Sequence, residues 1–234
     1  NDAISVVFSR QACRVFCEGL ARIWIETTNL KIGLLLFCVL LSNVVIGQSG
    51  IPAFPGAEGY GAIATGGRGG EVYTVTNTNS SGPGSLREGL LKTGPRIIVF
   101  AVSGVIDMDP PLFLQESNSD VTVAGQTSPG GITLIGSNAN STVLSVFQSG
   151  FSNAIFRHVR IRASDNNQDA CSFNGADTII WDHCDFSGAT DETFSSPGCR
   201  WYTIQWCTIS NGSSGQRYGS LIAYNPTSYV SLHH

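Results

Sequence analysis

The sequence is 234 residues long and 42% hydrophobic, yet only 13% charged, with a net charge of −4 at neutral pH. That balance excludes a protein built mainly to grip nucleic acid, which needs clustered Lys and Arg; Lys occurs only at Lys31 and Lys92. With 27 Gly and frequent Ser, Asn and Thr, helical propensity is low almost everywhere, so the body is expected to be β-rich.

In chain order, residues 1–30 carry no pattern related to the rest of the chain and are unassigned. The first residue is Asn and the single Met is Met108, so the sequence reads as a fragment or a misjoined N-terminus. Residues 31–48, KIGLLLFCVLLSNVVIGQ, combine a cationic flank, an apolar run from Leu34 to Leu41 and small residues suited to cleavage after Gly47. This is the anatomy of a secretory signal peptide, and the sequence predicts secretion. The alternative is a membrane anchor through residues 32–47, although the apolar run is shorter than the roughly 20 residues a bilayer span requires. Cleavage would leave Cys171, Cys184, Cys199 and Cys207, enough for two disulfides or none, in three connectivities that counting does not rank.

From residue 49 onward one domain is expected, through residue 234. A Gly-rich stretch leads to a short strand at Val72–Val75. In SGPGSLREGLLKTGPR, Ser85 and Glu88 have capping-box spacing, Leu86 and Leu90 share a helical face, and Gly94 with Pro95 stops the run. The pattern predicts one helix over 86–93. Strands then recur: RIIVFAVSGVI, DVTVAG, ITLIG, TVLSVF, AIFRHVRI, TIIWDHCDF, YTIQWCTIS, SLIAY and YVSLHH.

His158, His183, Trp206 and His233 sit in matching apolar strands at spacings of 25, 23 and 27 residues. A period in this range means stacked units, and without helical periodicity it predicts a right-handed parallel β-helix of three short strands per coil. Equivalent residues then form ladders about 4.8 Å apart, with Cys184 and Cys207 as stacked neighbours. The helix over 86–93 is expected to cap the N-terminal end.

Candidate chemistry falls on the acids of successive coils: Asp165 and Asp169, then Asp191 with Glu192. Oxygen-only donors favour Ca²⁺ over Zn²⁺, the alternative being ordinary acidic turn residues. Asp182 and His183, inside IIWDHC, read as a satisfied internal pair rather than a catalytic dyad. A nucleophile at Ser187 or Cys184 lacks a supporting motif. Arg157, Arg160 and Arg162 alternate, and read as groove-facing or as structural.

The motifs FPGAEGYGAIATGGRGGEVYTVTN, SGPGSLREGL, GPRIIVFAVSGVI, VTVAGQTSPGGITL, FRHVRIR, IIWDHCDFSGATDE and GSLIAY with SLHH, in order from Ile51 to His234, resemble the secreted pectate lyases of polysaccharide lyase family 1. The resemblance implies a right-handed parallel β-helix with a capping helix. It also implies Ca²⁺-dependent β-elimination of polygalacturonate or pectin, with Arg or Lys gripping substrate carboxylates and an Arg as base. Asp169, thirteen positions before the Asp of the WDH motif, and Asp191 match the family's Ca²⁺ ligands.

Departures from the family pattern are Ser195 and Asn167, where Asp is often found, leaving Glu192, Asp165 or Asn167 to complete the shell. The family's catalytic Arg lies in an Arg-x-Pro-Arg segment after the last matched strand and has no counterpart here, so this fragment is expected to be inactive. Arg217 is a candidate substrate contact. The expected partner is pectin, without nucleic acid, for a monomer. The competing functions are a non-catalytic β-helix binding acidic polysaccharide and a β-helix hydrolase with paired carboxylates.

Overall fold

Runs of two to six residues rich in Val, Ile, Phe and Trp, cut at short intervals by Gly, Asn, Asp and Ser, cannot extend into long strands, so each forms one short edge of a coil. In the structure, a computed structural model, residues 50–138, 142–146, 150–164, 168–213, 218–224 and 227–234 are described. The expected secretion segment 31–48 and the candidates Asp165, Asn167 and Arg217 lie outside them.

Among the described residues every strand pair is parallel, and three sheets result. The first contains β1 (Glu71–Val75), β2 (Arg96–Phe100), β5 (Val121–Ala124), β8 (Ser152–Arg157), β11 (Asp177–Asp182), β14 (Arg200–Gln205) and β17 (Ser228–His233) in that order. The second contains β3 (Gly104–Asp107), β6 (Ile132–Ile135), β9 (Val159–Arg162), β12 (Asp185–Ser187) and β15 (Thr208–Ser210). The third contains β4 (Phe113–Leu114), β7 (Leu144–Val146), β10 (Cys171–Phe173), β13 (Glu192–Ser195) and β16 (Tyr218–Leu221). One strand from each sheet makes a coil, which is the parallel β-helix expected from the period.

The core runs between the sheets as stacked side chains. Phe156 lies against Trp181, ring centroids 4.1 Å apart at 12°, and Phe173, Phe186 and Phe194 meet the same Trp edge-on. AIFRHVRI, read as one strand, is two: His158, at φ 53°, turns the corner between β8 and β9. His183 and Trp206 turn the next corners in the same conformation, and their rings stack outside the coil with His158 and His234. His234 therefore continues this ladder, in place of His233, which pairs with Gln205.

The helix α1 spans Leu86–Leu91, two residues shorter than expected, because Lys92 already adopts an extended conformation. Ser85 accepts the Glu88 N–H as its cap, while the Glu88 carboxylate reaches Gly84 N–H and the Tyr73 hydroxyl. Leu86 and Leu90 enter the same core as Val75 and Ile98. Arg96, on β2, is buried and spends five donor contacts on the carbonyls of Gly89, Leu90, Gly94, Asn118 and Ser119. The contacts to Gly89 and Leu90 close orphan carbonyls in the last turn of the helix, and those to Asn118 and Ser119 tie it to the next coil.

Residues 53–67 form a strap across the outer face of the seven-stranded sheet. Backbone N–H groups of Gly61, Tyr60 and Gly67 donate to the outward hydroxyls of Thr203, Ser231 and Thr122. Ala53, Phe54 and Ala57 pack around the outward Ile155 and Ile180. Both faces of β8 and β11 are thus covered, which explains why AIF and IIW show no polar alternation.

Candidate metal centre

β10 and β13 are neighbours, with Cys171 opposite Phe194 and Ser172 opposite Ser195, an advance of 23 residues per coil. Continuing that register two residues back sets Glu192 beside Asp169, and the Glu192 N–H donates to Asp169 Oδ1 at 3.3 Å. Asp191 is held by its own backbone, its N–H on Gln168 O and its carbonyl accepting from Tyr218 N–H. Ligand oxygens of Asp169, Asp191 and Glu192 all lie within 4.8 Å of one another at the edge of the third sheet.

Three acids this close repel one another. Burial pushes the Asp169 carboxyl above its ordinary range, against the Glu192 N–H and the Ser172 hydroxyl that favour its charged form, and the Asp191 charge adds to the rise. Burial, then the charges of Asp169 and Asp191, push Glu192 up to about 7. Asp191 Oδ1 is buried with no hydrogen-bond partner. A buried acceptor without a donor is costly, and a hard cation bound by oxygens would satisfy it and relieve the repulsion. The residues present therefore fit a divalent oxygen-binding cation.

The structure brings together Asp169 and Asp191, as the sequence suggests, and draws Glu192 into the same group. Counting one coil as 22 residues pairs Asp169 with Asp191; the observed 23 points to Glu192. Ser195 is buried inside β13 and offers no carboxylate.

The Asp182 pair lies elsewhere, on the outer face of the first sheet. Its carboxylate accepts from Arg157 Nε at 2.7 Å, from Gln205 Nε2 at 2.7 Å and from His183 Nδ1 at 3.0 Å. Burial pushes this carboxyl up, but the three donors together hold it below the ordinary carboxylate range. Asp182 is satisfied internally, as expected; His183 is not internal, because its positive φ swings the ring outward between His158 and Trp206.

The remaining candidates have structural partners. Arg157 pairs with Asp182, Arg162 with Asp185, and Arg160 donates to Thr133. Ser187 is buried, and burial pushes the Cys184 thiol well up, so neither is a poised nucleophile. Cys184 and Cys207 are stacked neighbours, the Cys184 N–H reaching Cys207 Sγ at 3.3 Å, and all four described cysteines are free.

No family model matches the chain. Over 198 residues it is 40% identical to "Probable pectate lyase C" of Aspergillus terreus, covering 82% of this chain and 44% of that protein. The chain is a homologue of the pectate lyases. "Pectate lyase 1" of Cryptomeria japonica is 28% identical over 160 residues, 61% of this chain and 43% of that protein. The chain spans less than half the length of these pectate lyases. The crystal structure of Jun a 1, the major allergen from cedar pollen, matches with a TM-score of 0.51 at 22% identity, over 64% of this chain and 47% of that one. That likeness bears on the fold alone, and it is the fold the coil period predicts.

Proposed function

We propose that this chain is the metal-holding part of a secreted, Ca²⁺-dependent pectate lyase that cleaves polygalacturonate or pectin by β-elimination. The observation that carries the reading is the convergence of Asp169, Asp191 and Glu192 from adjacent coils, with Asp191 Oδ1 buried and unpartnered. Pectate lyase homology over most of the chain supplies the substrate class.

In this reading Asp169 and Asp191 are the principal ligands, Glu192 the third, and Asp165 and Asn167 additional ligands. Held by these residues, Ca²⁺ would supply the charge withdrawal from a substrate carboxylate that acidifies the proton on the adjacent carbon. Arg217 would contact a substrate carboxylate. Residues 1–234 contain no Arg-x-Pro-Arg segment, the family's source of the base. These residues alone are accordingly proposed to bind substrate without turning it over. The protein is further proposed to act as a monomer outside the cell, without a nucleic-acid partner.

The full-length protein tests the proposal. With Ca²⁺ it should form unsaturated, ultraviolet-absorbing products from polygalacturonate, and chelator or Asp169→Asn should abolish them. Saturable binding without product would select the non-catalytic alternative, and saturated new ends would select a hydrolase.

A further inference from the structure

A second group of metal-ligating side chains lies on the outer face of the first sheet, in a different part of the coil from the acids of β10 and β13. Glu58 belongs to the strap, and its backbone is fastened to β14: its N–H donates to Gln205 Oε1 at 2.9 Å and its carbonyl accepts from Thr203 Oγ1 at 3.1 Å. That leaves the carboxylate free to face the end of β17. Glu58 Oε2 lies 3.4 Å from His234 Nε2 and 3.8 Å from His233 Nδ1, and one ligand atom from each residue falls within 4.8 Å of the others.

Two further observations bear on the site. His233 Nδ1 faces the Glu58 carboxylate at 3.8 Å, too long for a good hydrogen bond, so the pair is not closed by a direct contact. The His234 ring is held in place by Trp206, centroids 4.0 Å apart and planes nearly parallel at 4°. Tetrahedral ligands about 2.0–2.2 Å from a zinc ion stand about 3.3–3.5 Å apart, so the 3.4 and 3.8 Å separations need only small side-chain rotations to close on one.

The geometry points to Glu58, His233 and His234 as a binding site for a borderline divalent cation of the Zn²⁺ class, clamping the strap to β17. Two imidazoles and a single carboxylate suit such a metal and are poor ligands for Ca²⁺. The clamp is independent of the proposed lyase reaction. It links chain segments 175 and 176 residues apart, from Glu58 to His233 and His234.

The probe is Zn²⁺ added to the chelator-stripped full chain in excess Ca²⁺, followed by calorimetry. One equivalent should bind, with affinity falling at least about tenfold in Glu58→Gln and in His234→Ala. Asp169→Asn should retain it. Because Glu58→Gln preserves side-chain shape at an exposed position, it should fold, which circular dichroism verifies. Co²⁺ in place of Zn²⁺ should develop a visible ligand-field spectrum in the parent and not in Glu58→Gln. Zn²⁺ should also slow proteolytic cleavage within residues 53–67 in the parent alone. No bound equivalent, or one with unchanged affinity in Glu58→Gln, would overturn the site. Binding that leaves cleavage unchanged would overturn the clamp.

Discussion

Arg96 shows how one side chain can hold together pieces that sequence reading treats separately. Its guanidinium is fully buried without a carboxylate contact among the described residues, and its donors end on carbonyls from α1, from the turn after it and from the coil above. Burial lowers its pKa to about 10, partly offset by the charge of Asp120, so it remains protonated at neutral pH. Lys has three donors in a different geometry and cannot replace a planar fork of five. Arg96→Lys is therefore expected to cost about 3 kcal/mol, since buried carbonyls lose their partners while a charge stays buried. Urea unfolding measures this, and a loss below about 0.5 kcal/mol, the range of ordinary surface changes, would contradict the account. Nothing local in GPRIIVF marks the role: an Arg at a strand start reads as surface, and its burial depends on α1 folding over it.

The strap is the element least visible in the sequence. Its Gly-rich composition announces tight backbone approach, but its contacts are to residues 142 positions away at Thr203 and 171 away at Ser231. A Cβ at Gly61 would stand 2.2 Å from Ile179 O and 2.7 Å from Thr203 N, both backbone atoms that cannot turn aside. Gly61→Ala should lift the strap from the sheet, lowering stability by about 2–3 kcal/mol and exposing residues 53–67 to protease. Thr203→Val should be milder, about 1 kcal/mol, because it removes one hydroxyl that accepts from Gly61 and donates to Glu58. If the order of the two variants reversed, the hydrogen bonds rather than the close approach would hold the strap. By contrast α1 was legible, since Ser85, Glu88, Leu86 and Leu90 act within one helical turn. It ends two residues before the expected 93, because Gly94 and Pro95 mark where a helix cannot continue, whereas Lys92 leaves the helix earlier.

At the scale of the whole molecule, the coil was legible because stacking repeats its demands at a nearly constant spacing: Phe156 and Trp181 occupy one phase, Cys184 and Cys207 another. What the period could not settle was phase to within one residue, and that single residue separates Asp191 from Glu192 and His233 from His234. The corners absorb such slips through left-handed backbone at His158, His183 and Trp206, which no hydrophobic pattern records. The same phase decides how stability should respond to pH. Without cation, Glu192 titrates at about 7 instead of its ordinary 4.5, so between those values the folded chain binds more protons than the unfolded one. Stability then falls as pH rises through that window. Asp182 works oppositely: its lowered pKa contributes stability present above the ordinary carboxylate range and lost as pH falls through its folded value. A cation-free protein should therefore be most stable near the lower edge of the Glu192 window and decline toward neutrality. Glu192→Gln should flatten that decline, because the titrating group is gone. Saturating Ca²⁺ should reverse it, since the cation favours the charged carboxylates and its binding releases protons. Thermal unfolding of the full chain from pH 4 to 8, with chelator and with Ca²⁺, measures all three curves. A chelated protein whose stability instead climbs steadily to pH 8 would mean that Asp169, Asp191 and Glu192 are not crowded as the coil register requires.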